Sequence, residues 1–207
     1  MSPTEEMVAF YFELGLAITQ WANVELTLFE VASACMSKRD RKLLALGYFN
    51  LESFRGKLDF VDGVVEGKIK TKNPRIYTEW RTLYDKTSQL SVTRNKLAHN
   101  SVMGFLNGSA GRHIGIVPWI TKDNPKIKKK AAPGVAPSDA LCVRDIISFR
   151  FEGFHTRMRI ENLAHKIARK PVPFSRLAPQ PNSPPPIHEI SAQMRAMIQP
   201  QRQSSRA

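Results

Sequence analysis

The residues of this sequence best suited to chemistry are an arginine and a histidine near the end of a predicted helix. Arg94 and His99 are separated by four residues, the first of which is Asn95. Arginine is always positively charged and can bind a phosphate through two N–H groups, whereas histidine exchanges protons near neutral pH. Such a pair could cleave a phosphodiester, because one residue would stabilise transition-state charge and the other would move the proton.

The helical position of these residues adds to this interpretation. Asn95 and His99 are one turn apart and lie above each other, while Arg94 lies on the adjoining side. Arg94 also falls where the apolar repeat of the helix predicts burial, and a buried arginine usually has an anionic partner or a ligand. The alternative is that Arg94 is a surface cation and that His99 is a helix C-terminal residue favoured by the macrodipole.

The positive charge of the chain is unevenly distributed. The 207 residues carry a net charge of +13, yet residues 1–66 hold 6 Lys and Arg against 10 Asp and Glu. Residues 67–169 hold 20 against 7, and this is the part that contains Arg94 and His99. A concentrated positive field suits a polyanionic ligand, although lysines also serve simply to keep helices and loops in solution.

Four long segments have the periodicity of amphipathic helices. They run from Pro3 to about Cys35, from an N-cap at Asn50 to about Gly67, from Pro74 to about His99, and from Asp145 to about Lys170. The charged run 38–42 is interpreted as a turn or short connector. Glu25 lies beside the apolar seam of the first helix, one turn after Trp21, and we interpret it as a surface acid rather than a contact to the cationic site.

The segment after the motif has a different character. Residues 101–106 and 112–120 predict a β-hairpin, with Asn107-Gly108 opening the turn. The fold class is therefore all-α: a four-helix bundle with a β-hairpin inserted after the third helix and a disordered C-terminal tail. Residues 1–170 form the helical domain with an insert at 101–140, and the proline-rich residues 171–207 form the flexible tail.

The cysteines and the hydropathy of the sequence restrict the cellular compartment in which we expect the protein. Cys35 and Cys142 lie far apart in apolar stretches, without Cys-x-x-Cys or clustered histidines, so we expect buried thiols in a reducing compartment and no metal or other cofactor. No run of eighteen apolar residues exists, and the N-terminus is acidic where a signal peptide would be basic. We therefore expect a cytoplasmic protein that does not enter a membrane.

The segment from Arg94 to His99 resembles the Arg-x4-6-His signature of the HEPN superfamily, whose members are small helical bundles and often metal-independent endoribonucleases. The resemblance covers roughly residues 5–169, including the stretch from Trp21 to Glu25, and the predicted order of elements agrees with it. It implies an RNA hydrolase that acts on single strands. The family is associated with toxin–antitoxin and antiviral defence systems, so the resemblance also implies a role of that kind.

The mechanism that the resemblance implies is chemically reasonable, because RNA supplies its own nucleophile, the 2′-hydroxyl. His99 would be the general acid or base, and Arg94 would hold the scissile phosphate. Asn95 matches the polar position that follows the arginine in the family and could orient His99 or contact the phosphate. The products would carry a 2′,3′-cyclic phosphate and a 5′-hydroxyl.

The expected partners follow from the same resemblance. One histidine cannot easily serve as both acid and base, and family members usually pair two motifs across a two-fold axis, so we expect a homodimer with a composite active site. An antitoxin or other regulatory protein is a further expected partner. The basic residues expected to bind RNA are Lys96, Lys126, Lys128, Lys129 and Lys130.

Two alternatives remain at this point. The chain could be a non-catalytic helical module, in which Arg94 and His99 bind a nucleotide phosphate or hold the bundle and dimer together. The lysine-rich loop between the hairpin and the last helix could equally be disordered rather than a contact to RNA.

Overall fold

The computed structural model describes residues 3–106, 112–117 and 140–169, which form a mostly helical fold with one small antiparallel sheet. Its elements in chain order are α1 (Pro3–Ala34), α2 (Arg41–Phe49), α3 (Phe54–Ile69), α4 (Pro74–His99), β1 (Ser101–Leu106), β2 (Arg112–Val117), β3 (Leu141–Cys142) and α5 (Val143–Ala168). The predicted fold class is confirmed, with five helices in the described residues rather than four.

Helix α1 is the central element of the bundle. It packs most extensively against α5 and also contacts α2, α3 and α4. The apolar seam expected from its sequence is buried; the seam residues with exposures of 2% or less are Phe10, Ala17, Trp21, Val24, Leu28 and Val31. Burial of this seam removes a long apolar surface from water, which is the main favourable contribution to folding. The long first helix therefore positions its neighbours.

The connection between the first two predicted helices differs from the expected turn. A nine-residue helix, α2, begins at Arg41, inside the charged run, and buries Leu44 and Tyr48 at i, i+4 spacing. The prediction that Asn50 caps the next helix is wrong: Asn50 ends α2. The cap of α3 is Ser53, whose extended backbone lets its Oγ accept a hydrogen bond from the Gly56 amide at 3.0 Å.

The sheet lies after α4, where the hairpin was expected. Strands β1 and β2 pair antiparallel, with Ser101 opposite Val117, so the hairpin prediction is confirmed for its two strands. Strand β3, which was not predicted, pairs with β2 through Ile116 and Leu141. Buried Ile114 and Ile116 belong to the same core as the helices. The hairpin turn, the residues 118–139 and the tail lie outside the described residues.

The expectations about the two cysteines and about membrane-spanning segments can be compared with the structure. Cys142 is exposed at the start of α5, so its prediction as a buried thiol is wrong, because its strand is two residues long and lies at the sheet edge. Cys35 is partly buried, and burial raises the pKa of its thiol to about 11. Among the described residues, every helix is too short or too polar to cross a membrane.

Candidate functional site

The motif lies on the last two turns of α4, a helix with well-defined ends. Pro74 occupies the first turn, and the Asn73 side chain accepts a hydrogen bond from the Ile76 amide at 3.2 Å. The helix ends at His99, and Asn100 is already extended. A sharp start and end fix the rotation of α4, and therefore which side of the helix each motif residue occupies.

Arg94 points towards the interior of the bundle. Its side chain is 29% exposed, in agreement with the burial expected from the apolar repeat of α4. Nη1 donates a hydrogen bond to Asn95 Oδ1 at 3.2 Å, and Nη2 lies 3.7 Å from Glu25 Oε1. At the second distance, Arg94 and Glu25 form an ion pair but not a close hydrogen bond. The guanidinium therefore keeps N–H donors that a further anion could use.

Glu25 on α1 is the acceptor at the centre of the site. Its Oε1 accepts a hydrogen bond from Trp21 Nε1 at 3.0 Å, and its Oε2 accepts one from Lys57 Nζ at 3.1 Å. The side chain is only 20% exposed. The interpretation of Glu25 as a surface acid is therefore wrong: it contacts Arg94 as well, and it joins α1 to α3 and α4.

Lys57 on α3 is a second cation at this site. Its side chain is 18% exposed, and its Nζ lies 5.8 Å from the centre of the Tyr48 ring. The Tyr48 hydroxyl donates a hydrogen bond to the backbone carbonyl of Glu25. Burial, followed by the Glu25 carboxylate, raises the pKa of Tyr48 above its ordinary value, so this phenol stays neutral. Two cations thus share one carboxylate.

These side chains surround a pocket of about 420 Å³, a volume within the range of small-ligand sites. Its polar lining residues are Glu25, Lys57 and Arg94, and its apolar and aromatic lining residues are Ile18, Trp21, Ala22, Leu26, Tyr48, Phe49 and Ala98. Phe49 is 56% exposed and Leu26 is 51% exposed, so the apolar part of the lining reaches the surface. The pocket can accept an anion that also carries an apolar or aromatic group.

The other two candidate catalytic residues of the motif lie on the outer side of α4. Asn95 and His99 are exposed, as is Val92, which precedes them on the same side of the helix. Five residues along an α-helix correspond to about 140° around its axis, so Arg94 and His99 point in different directions. Within the described part of the chain, His99 does not line the pocket that contains Arg94. Asn95 bonds Arg94 and lies one helical turn before His99.

The expected RNA-binding lysines are only partly described. Lys96 is half-buried on the same helical turn as Asn95. Lys126, Lys128, Lys129 and Lys130 lie outside the described residues. Across residues 3–106, 112–117 and 140–169, no group of three or more His, Cys, Asp or Glu side chains is arranged to hold a metal ion.

The two side chains that donate hydrogen bonds to the Glu25 carboxylate were missed as site residues because their sequence signals are weak. Trp21 is buried, and a buried indole N–H needs an acceptor, which an acid one turn further along the helix can supply. Lys57 lies at the edge of the buried stripe of α3, between Phe54 and Val61. The reasoning applied to Arg94, that a cation beside a buried stripe needs an anion, would have identified it.

Comparisons with protein-family models, with curated proteins and with solved structures give no match to this chain. The functional assignment therefore depends on the arrangement of the residues described above.

Proposed function

We propose that this protein is a HEPN-type, metal-independent endoribonuclease that cleaves single-stranded RNA by attack of the 2′-hydroxyl. The observation that carries the proposal is the link through Asn95: Arg94 is half-buried and bonded to Asn95, while His99 is exposed one turn beyond. A phosphate seated on the Asn95 side of α4 would have a guanidinium on one side and an imidazole on the other.

The proposed reaction uses two histidines. His99 of one protomer accepts the proton of the 2′-hydroxyl while the 2′-oxygen forms its bond to phosphorus. The bond from phosphorus to the 5′-oxygen then breaks, and the imidazolium of the partner's His99 donates its proton to that oxygen. The products are a 2′,3′-cyclic phosphate and a 5′-hydroxyl, and exchange with water restores both histidines.

The charges required by this reaction fit the side chains present. In the phosphorane-like transition state, the attacking and leaving oxygens carry part of the negative charge. A fixed cation stabilises that charge. Arg94 is held in place by Asn95 and Glu25, so little reorganisation is needed when the charge develops. Because His99 points away from Arg94 on its own helix, two copies related by a two-fold axis would supply the complete site.

A cytoplasmic location belongs to the same proposal. Cys35 and Cys142 are free thiols, which agrees with a reducing compartment. The resemblance also implies a biological role, namely restriction of growth as a toxin or defence nuclease. An antitoxin or other regulatory protein would control that activity, and the role depends on the proposed cleavage.

The direct test is incubation of mixed single-stranded RNA in EDTA with the wild-type protein, Arg94→Ala and His99→Ala. We expect cleavage by the wild type and a loss of at least about 10²-fold in kcat for His99→Ala, the usual contribution of general acid–base catalysis. The fragments should carry 5′-hydroxyls that accept a labelled phosphate directly. His155→Ala is the matched control, because His155 is an exposed histidine on α5.

The outcomes of this test are distinct. Cleavage that survives both Arg94→Ala and His99→Ala would remove the proposed site. Failure to cleave any RNA would favour the second candidate, a non-catalytic module that binds RNA or a nucleotide. One observation favours that candidate: Arg94 lines a pocket that His99 does not line among the described residues, so a single chain has a binding site without its own imidazole.

A further inference from the structure

The pocket beside Arg94 contains more than a phosphate-binding group. Its mouth is apolar and includes Phe49, the last residue of α2, whereas its floor carries Lys57 and Arg94 against the single carboxylate of Glu25. We propose that this pocket is a nucleotide subsite: Phe49 stacks on the base of the nucleotide next to the scissile phosphate, and Lys57 binds its phosphate together with Arg94. The inference rests on the proposed function, because it assigns an RNA substrate to the same site.

The floor of the pocket carries an excess of positive charge. Lys57 and Arg94 are only 18% and 29% exposed, and both contact Glu25, so the floor of the pocket carries one positive charge more than negative charge. Partly buried cations need compensation, because loss of water around an unpaired charge is costly. An apolar partner covering the pocket would remove that water without providing a counter-charge. An occupant with a negative group is therefore favoured over an apolar segment of another protein.

The mouth of the pocket presents an exposed aromatic ring. Phe49 is 56% exposed although it packs edge-on against Tyr48 and lies 5.0 Å, between ring centres, from Phe29. These two contacts hold the ring while leaving more than half of the residue open. Proteins that bind single-stranded nucleic acid place bases on exposed aromatic rings above cationic surfaces. Phe49 and Arg94 line one pocket, which is the combination that a base and its phosphate require.

The pocket is connected with the proposed reaction through Arg94. Arg94 belongs both to this pocket and, through Asn95, to the side of α4 that carries His99. A nucleotide anchored by Phe49 and Lys57 would place its phosphate next to Arg94, near the boundary between the pocket and the outer side of α4. Phe49 would then act as a substrate-positioning residue, since it touches the base and not the reacting atoms.

The test is binding of a labelled 2′-O-methyl hexanucleotide, measured by fluorescence anisotropy. The 2′-O-methyl group removes the nucleophile, so binding is measured without cleavage. We expect Phe49→Leu to raise the Kd about tenfold, as expected for loss of one base-stacking contact, and Phe49→Trp to restore affinity. Leu46→Ala is the matched control, because Leu46 is also 56% exposed on α2 and is not part of the pocket lining. Lys57→Gln should weaken binding and reduce its dependence on salt.

Each result separates the subsite from the catalytic proposal. Binding weakened by Phe49→Leu, with no RNA cleaved by the wild type, would support the subsite and overturn the nuclease. Cleavage that requires Arg94 and His99, with Phe49→Leu binding as tightly as the wild type, would overturn the subsite alone. Two results would overturn stacking in favour of a packing role for Phe49. One is weaker binding of the hexanucleotide by Phe49→Leu together with equally weak binding by Phe49→Trp. The other is a change in the oligomeric state of Phe49→Leu.

Discussion

At the scale of single residues, Glu25 determines the character of the site. Its carboxylate accepts hydrogen bonds from Trp21 and Lys57 and also contacts Arg94, so it keeps two cations close together in a partly buried position. The same contacts lower the net positive charge available to a ligand. Glu25 therefore has opposite effects on the stability of the empty site and on its affinity for an anion.

Replacing this acid tests that balance. We expect Glu25→Gln to lower the free energy of unfolding by about 1–3 kcal/mol, because Lys57 and Arg94 lose their shared counter-ion. The same substitution should tighten binding of the 2′-O-methyl hexanucleotide, since the floor of the pocket becomes more positive. Urea unfolding and anisotropy measure the two effects, with Glu30→Gln, an exposed acid on the same helix, as the control. Weaker binding by Glu25→Gln would mean that the carboxylate itself contacts the ligand.

At the scale of elements, the long periodic helices and the hairpin could be predicted, whereas α2 and β3 could not. Helix α4 matches its predicted ends because Asn73 and Pro74 mark its start and the backbone is already extended at Asn100. Helix α2 was missed since it has nine residues, begins inside a charged run and buries only two of them. Strand β3 has two residues, and such a strand exists through its pairing with β2 rather than through its own sequence.

The outer side of α4 is the element-scale test of the proposed dimer. Val92 is 60% exposed and lies on the same side of the helix as Asn95 and His99. If two copies pair there, Val92→Glu would place a charge in the interface, so we expect dissociation to monomers and loss of RNA cleavage together. Size-exclusion chromatography at micromolar concentration measures the first effect.

The control for that substitution is Leu43→Glu, because Leu43 is 75% exposed on α2 and is distant in sequence from the motif. It should leave both the oligomeric state and cleavage unchanged. A wild-type protein that is monomeric yet cleaves RNA would contradict the two-histidine mechanism. A dimer that tolerates Val92→Glu would place the two-fold axis at another surface.

At the scale of the whole molecule, the site results from contacts that a sequence does not reveal. Arg94 could be expected to point inward, because the apolar repeat of its own helix predicts it. Glu25 and Lys57, which line the same pocket, are 32 residues apart, on α1 and α3, and Phe49 comes from α2. Periodicity places a residue on one side of a helix, whereas the rotation of that helix against its neighbours follows from packing of the entire core. That Glu25, Lys57 and Phe49 meet Arg94 in one pocket could therefore not be predicted.

The bundle also contains a buried acid whose effect extends to global stability. Glu13 on α1 is 2% exposed in its side chain, and its Oε2 lies 3.0 Å from Arg150 Nε on α5, across the most extensive helix contact. Burial raises the pKa of Glu13 above its ordinary value of 4.5, and the opposing attraction of Arg150 does not fully offset it. The folded protein therefore holds a proton on Glu13 at pH values where the unfolded chain has released it.

The direction of the resulting pH dependence follows from this difference in bound protons. Between the ordinary pKa and the raised one, the folded state binds more protons than the unfolded state, so the free energy of unfolding falls as the pH rises through that interval. The glutamine side chain of Glu13→Gln cannot titrate, so this variant should lose the contribution of Glu13 to the slope of unfolding free energy against pH. This expectation holds whatever the substitution does to stability at a single pH. Urea unfolding from pH 4.5 towards neutrality measures the slopes, and Glu30→Gln should retain the wild-type one. Equal slopes for the wild type and Glu13→Gln would show that Arg150 fully compensates the buried carboxylate, and that the contact between α1 and α5 holds an ordinary ion pair.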